Sequence, residues 1–236
     1  MLLHDQWLLL VGVVGLYLYD SALLLFHNEI VLEARRRSYL VSAGGVLEFG
    51  GRHLFLPNPC CPHRMLVRLS WPAGASPDRR GARGKRTRLA LSVIAPWTWV
   101  LSGLFFVALP CLLWTGTHVA LLGWLVLTYA VIVAMLMQVY RYRKALNLSR
   151  RGVLALAFDA LLCAPFAINL IRKISLRQVA PNLHTVASSL LSPAENAMLA
   201  GILRERIQTS LHFMEPGSDA SDALLAYLQH FEGGTS

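Results

Sequence analysis

The sequence predicts a mostly α integral membrane protein: three or four transmembrane helices, a small antiparallel β insertion between the first and second, and a C-terminal helical pair. Three observations predict it. Hydrophobic residues make up 55% of the 236 and charged residues 15%, against about 45–50% and about 25% in soluble domains. The apolar residues gather in blocks of bilayer length with tryptophan or tyrosine toward their ends. The net charge of +9 is concentrated in particular connections, as it is when cytoplasmic loops collect lysine and arginine.

Residues 1–28 read as the first transmembrane helix. The apolar run 6–26 gives about 31 Å of helix, enough for one crossing. Trp7 marks one interface, Tyr17 and Tyr19 approach the other, and Asp20 falls near the headgroups, where a carboxylate costs less than at the bilayer centre. No lysine or arginine precedes the run, so it is expected to be a retained anchor and not a cleaved signal peptide.

Residues 29–71 change character. The short runs "SYLV", "VLEF", "RHLFLP" and "RMLVRLSW" are rich in strand formers, and Gly44-Gly45 and Gly50-Gly51 separate the first three as two-residue hairpin turns would. Met65, Val67, Leu69 and Trp71 alternate with Arg64, Arg68 and Ser70, leaving Leu66 as the exception. A single sheet of three or four strands is expected, too small to be stable alone. Residues 72–88 show no apolar periodicity and read as a flexible basic linker.

Residues 89–140 read as a transmembrane helical hairpin around the turn "TGTH", with Pro96 and Pro110 near helix ends. Residues 141–173 form a basic loop followed by a fourth membrane segment. Residues 174–236 form an amphipathic helical tail. In it "SPAE", 192–195, is a capping box. Ala200, Leu203, Ile207, Leu211 and Met214 then make one apolar stripe, and Leu224, Leu225, Leu228 and Phe231 make another on a second helix.

Charge sets the expected topology. The connection 27–88 carries 12 lysines and arginines, the connection 141–152 carries five with no acid, and "TGTH" carries none. This places the N-terminus outside and the β module in the cytoplasm. Segment 153–171 has two readings. Arg172, Lys173 and Arg177 beyond it, together with Asp159 and Pro165 inside it, favour a helix lying in the interface or re-entering it. Its hydrophobicity favours a full span.

The candidate site residues are few. Asp159 and Asn169, inside an apolar segment, point to ion or proton handling, or else to a polar contact between helices. Arg79, Arg80, Arg83, Lys85, Arg86 and Arg88 are expected to meet anionic lipid headgroups beside a span; without interleaved aromatics, no nucleic-acid partner is expected. Cys60, Cys61 and His63, even joined by His53, match no zinc spacing, so neither metal nor cofactor is expected. His118 reads as a solvated loop residue, and His27, Asn28 and Glu29 as the polar end of the first helix, or else as the beginning of a site with Glu33. No phosphate loop, nucleophile elbow or "HExxH" occurs. The expectation is a non-enzymatic, multi-pass protein of the bacterial cytoplasmic (inner) membrane, a partner-binding, scaffolding or assembly component whose partner is another protein or a second copy. The alternatives are a transporter, channel or proton-coupled subunit using Asp159, and a membrane-embedded enzyme.

Overall fold

The computed structural model describes residues 2–35, 38–45, 47–70, 83–177, 183, 191–212 and 217–233. It is mostly helical with small antiparallel sheets, and it divides into two compact units. The first comprises Met1–Ala22, Pro57–Met65 and Ala82–Gln178; the second comprises Leu23–Leu56, Leu66–Gly81 and Val179–Ser236.

The first unit is helical. Helix α1 (Leu2–Ser21) ends earlier than the expected run to residue 26, because Leu23–Leu25 is strand β1 of the second unit. Helix α2 (Arg83–Gly103) takes in the last residues of the stretch expected to be linker; residues 71–82 lie outside the described residues. It continues through one π-helical turn (Leu104–Ala108) into α3 (Leu109–Thr115). Pro110 has no N–H for the carbonyl four residues back, and a π turn absorbs such a defect. The Leu104 carbonyl there also accepts from the Trp124 indole at 2.8 Å. Gly116, in the left-handed region at φ 66°, closes α3, and α4 (His118–Arg141) runs back.

Leu91, Ile94, Leu101, Phe105, Leu109 and Leu113 are buried on one side of the α2–α3 run, at spacings of three and four or their sum, against Val131, Ile132, Met135 and Val139 of α4. The outward side is also apolar: Val100, Val107, Trp114, Leu122, Val126 and Met137 are all exposed. Two helical runs, Arg86–Thr115 and His118–Arg141, are long and apolar enough to cross a membrane; α1 offers a shorter one, Trp7–Ser21.

The segment expected to be a fourth membrane helix is broken. Helix α5 (Arg150–Leu162) has 13 residues, about 20 Å. Cys163 is extended, Ala164–Asn169 form a 3₁₀ turn, and α6 (Leu170–Leu176) follows. Pro165 again removes a donor; the Leu161 carbonyl four residues back accepts from the Tyr129 hydroxyl at 3.2 Å instead. The segment then returns to its start, since the Arg177 guanidinium donates to the Gly152 carbonyl at 3.2 Å. An unbroken helix over those residues would hold its ends roughly 38 Å apart.

The second unit corrects the expectation of one sheet. It has two three-stranded antiparallel sheets, ordered β1-β5-β4 and β3-β2-β6. The strands are β1, β2 (Glu29–Ala34), β3 (Tyr39–Ser42), β4 (Glu48–Phe49), β5 (Arg52–Phe55) and β6 (Leu66–Ser70). The sequence reading missed β2, which is the centre of its sheet. Ile30, Val31 and Leu32 are all buried there, so the strand reads as an unbroken apolar run rather than an alternation. Gly50-Gly51 is the expected hairpin turn, with φ of 56° and 73°. Gly44-Gly45 is instead a crossing: the Gly45 N–H donates to Leu54 O at 2.6 Å, and a Cβ on Gly44 would meet His53 Cβ at 2.6 Å.

The C-terminal helices α7 (Pro193–His212) and α8 (Asp219–Gly233) complete this unit. Leu199, Leu203 and Ile207 of α7 and Leu224 of α8 share one core with Ile30, Leu32, Val41 and Leu69. Each fully buried side chain contributes about 1.5–3 kcal/mol. Sheet and tail, expected as two modules short of a partner, therefore cover each other.

Candidate functional site

The sequence offers α5 and α6 an unusual number of polar groups for apolar helices, and the break at Cys163–Asn169 brings them together. Asn169, Arg172 and Lys173 fall on one side of the start of α6, at the three- and four-residue spacings of neighbours on a helix. Tyr17 and Asp20 share one side of the end of α1 for the same reason.

Asp20 accepts from Lys173 Nζ at 2.6 Å and from Asn169 Nδ2 at 3.2 Å. Asn169, fully buried, also donates to the Tyr17 carbonyl at 3.0 Å. Its Oδ1 accepts from Arg172 at 3.1 Å. Arg172 is 2% exposed and donates onward to the carbonyls of Asn58 and Cys61, at 2.6 and 3.1 Å. The Tyr17 hydroxyl donates to Pro59 O at 2.6 Å. Asp159 lies at the rim, half-exposed, 3.8 Å from Lys173 Nζ. Lys173 also sits over the Phe166 ring at 4.6 Å. Both carboxylates face Lys173, while the buried Arg172 donates to an amide and two carbonyl oxygens; buried charges persist where they are paired or hydrogen-bonded in this way.

The two residues singled out from sequence, Asp159 and Asn169, both belong to this cluster. Helical spacing also sets Lys173 on the polar side of the segment with them, whereas Asp20 and Arg172 read from sequence only as interfacial and flanking charges. Nothing in a linear hydropathy profile reports the cluster, because the partners come from α1 and from loop 57–61.

The other candidates are dispersed. Arg79 and Arg80 lie outside the described residues, Arg83 and Lys85 open α2, and Arg86 and Arg88 are exposed on its first turns. His53 pairs with Glu48 at 3.2 Å in the second unit, whereas His63 stacks near Trp99 in the first, and the four cysteines are free. Among the described residues, no three His, Cys, Asp or Glu side chains gather as metal ligands.

No family model, curated protein or solved structure matches this chain.

The second unit has its own polar contacts, which serve its packing. The Ser192–Glu195 capping box forms, with the Ser192 N–H donating to Glu195 Oε2 at 2.7 Å, and the other carboxylate oxygen accepts from the Tyr39 N–H of β3. These backbone donors hold the Glu195 carboxyl below its ordinary value, Ser192 contributing most. Arg206 reaches Ala43 O at 2.9 Å and His27 Nδ1 at 3.0 Å. His27, expected at the polar end of the first helix, thus joins α7. Glu29 ion-pairs with Arg68 across β2 and β6.

Proposed function

We propose that this chain is a non-enzymatic integral protein of the bacterial cytoplasmic membrane, holding a compact α/β module at the cytoplasmic face as a partner-binding or assembly component. The observation that carries the membrane reading is the apolar outward side of the first unit's helices. In the most apolar windows of the two long runs only 33% and 22% of residues are buried. A core helix of a soluble protein hides its apolar side chains, whereas a helix that is apolar all round and still exposed suits lipid. The α2–α3 run and α4 supply two crossings on this reading, and α1, with its shorter apolar stretch Trp7–Ser21, is assigned as a third. Segment 150–177 re-enters rather than crosses, a reading supported by its broken helix and the contact between Arg177 and Gly152.

The shared core of sheet and tail supports the same topology. One core cannot form from segments on opposite sides of a bilayer, so the tail lies with the β module. The positive-inside bias then sets both in the cytoplasm and the N-terminus outside. Partner binding is favoured by apolar side chains left exposed once that core has closed, Leu47, Phe49 and Leu56 among them. A C-terminal reporter fusion tests the topology: a cytoplasmic fluorescent protein glows and a periplasmic phosphatase stays inactive. The reverse result rules out the re-entrant reading. Mild detergent extraction and pull-down test the assembly role, and recovery as a lone monomer opposes it.

The cluster of Asp20, Asp159 and Lys173 supports a second reading, a proton- or ion-handling component. Asp159→Asn separates the two. Unchanged abundance with lost ion flux favours handling, and lost abundance favours a packing role.

A further inference from the structure

Helices α4 and α5 run antiparallel and leave an open groove of about 520 Å³ between them. Leu136, Met137, Ala157 and Leu161 line it, with Gln138, Tyr140 and Arg141 toward one end. The antiparallel pairing sets this polar end beside the start of α5. Arg150, exposed, opens α5 three residues before Val153 of the groove wall, the spacing of neighbours on a helix. No acid occurs anywhere in 141–152, which carries five lysines and arginines. The groove is thus apolar along its length and cationic at a single end. That is the polarity of one anionic phospholipid, with its acyl chain along the helices and its phosphate at the basic mouth.

We propose that the α4–α5 groove is a binding site for a single anionic phospholipid, its phosphate held by Arg141 and Arg150. The inference rests on the membrane reading and goes beyond it. Bulk lipid would cover any apolar helix face, whereas this site selects by headgroup charge.

The test uses the full chain, purified in mild detergent and delipidated. Phosphatidylglycerol or phosphatidylcholine with identical acyl chains is added back, and retained lipid is counted by native mass spectrometry. One phosphatidylglycerol is retained in preference to phosphatidylcholine. Arg141→Gln with Arg150→Gln, both exposed positions, weakens that retention about thirtyfold, at about 1 kcal/mol per cation. Ala157→Trp, which fills the groove, lowers retention of phosphatidylglycerol while leaving the mouth charged. Equal retention of the two lipids, an unaltered double variant, an unaltered Ala157→Trp, or displacement by inorganic phosphate would overturn the site. A chain that needs detergent yet selects no lipid defeats this inference alone; a chain that stays soluble without detergent defeats the membrane reading.

Discussion

Single side chains in the second unit give the sharpest measurements. The Tyr227 hydroxyl is buried with no hydrogen-bond partner among the described residues, and burial pushes its pKa up to about 12. A buried donor left unpaired costs stability, so Tyr227→Phe is expected to raise the thermal midpoint or leave it unchanged. A lowered midpoint would mean that the hydroxyl has found a partner. The raised pKa has a definite sign. The unfolded chain loses this proton near pH 10 and the folded chain only later, so stability present below pH 10 is lost as pH climbs toward 12. In Tyr227→Phe that alkaline decline becomes shallower. Glu195 works in the opposite sense. Its depressed carboxyl contributes stability above the ordinary carboxylate range, lost as pH falls through the folded value. The midpoint therefore falls between pH 6 and pH 3 in the parent and changes less in Glu195→Gln. The capping box was legible, since Ser192 and Glu195 are three residues apart. Glu195's second partner, Tyr39, is 156 residues away and no local pattern announces it.

Among the elements, the decisive one is the broken segment of α5 and α6. Pro165 and the run of apolar residues are visible in the sequence, and by themselves they are compatible with both crossing and re-entry. The broken form of the segment is held by the contacts that α6 makes: Arg172 with carbonyls of loop 57–61, Lys173 and Asn169 with α1. Arg172→Ala is expected to destabilise the detergent-solubilised chain by about 1.5–3 kcal/mol, the worth of hydrogen bonds from a charged donor. Arg172→Lys is expected to restore little of it, because an ammonium lacks the fork that reaches two carbonyls at once. Full recovery by lysine would show that only the charge matters. Within the same cluster, Asp20→Asn costs more than Asp159→Asn. Asp20 is nearly buried and 2.6 Å from Lys173, whereas Asp159 is half-exposed and 3.8 Å away. Thermal midpoints in the reverse order would make Asp159 the anchor.

Across the whole molecule, the arrangement that matters is the assembly of the second unit from strands near the start of the chain and helices at its end. Leu203 is fully buried between them. Leu203→Ala is expected to cost about 2–5 kcal/mol, and limited proteolysis should then cut the tail and the β2–β3 region together. Cleavage of the tail alone, with the strands still protected, would show that the sheet folds without it. The stripe of Leu203 and Ile207 was readable from spacing on the helix. Its covering surface was not, because an apolar stripe states that something must pack on it and not what.

The sequence by itself determined what nearest neighbours and composition control: the bilayer-length apolar blocks, the placement of positive charge, the capped start of α7 and the Gly50-Gly51 turn. Only the tertiary structure decided that the fourth apolar segment doubles back, that Asp159 and Asn169 join Asp20, Arg172 and Lys173, and that sheet and tail share a core. Each of these depends on residues brought together from separate elements, and the energy that selects among their pairings resides in packing and buried polar contacts, which no local stretch of the chain contains.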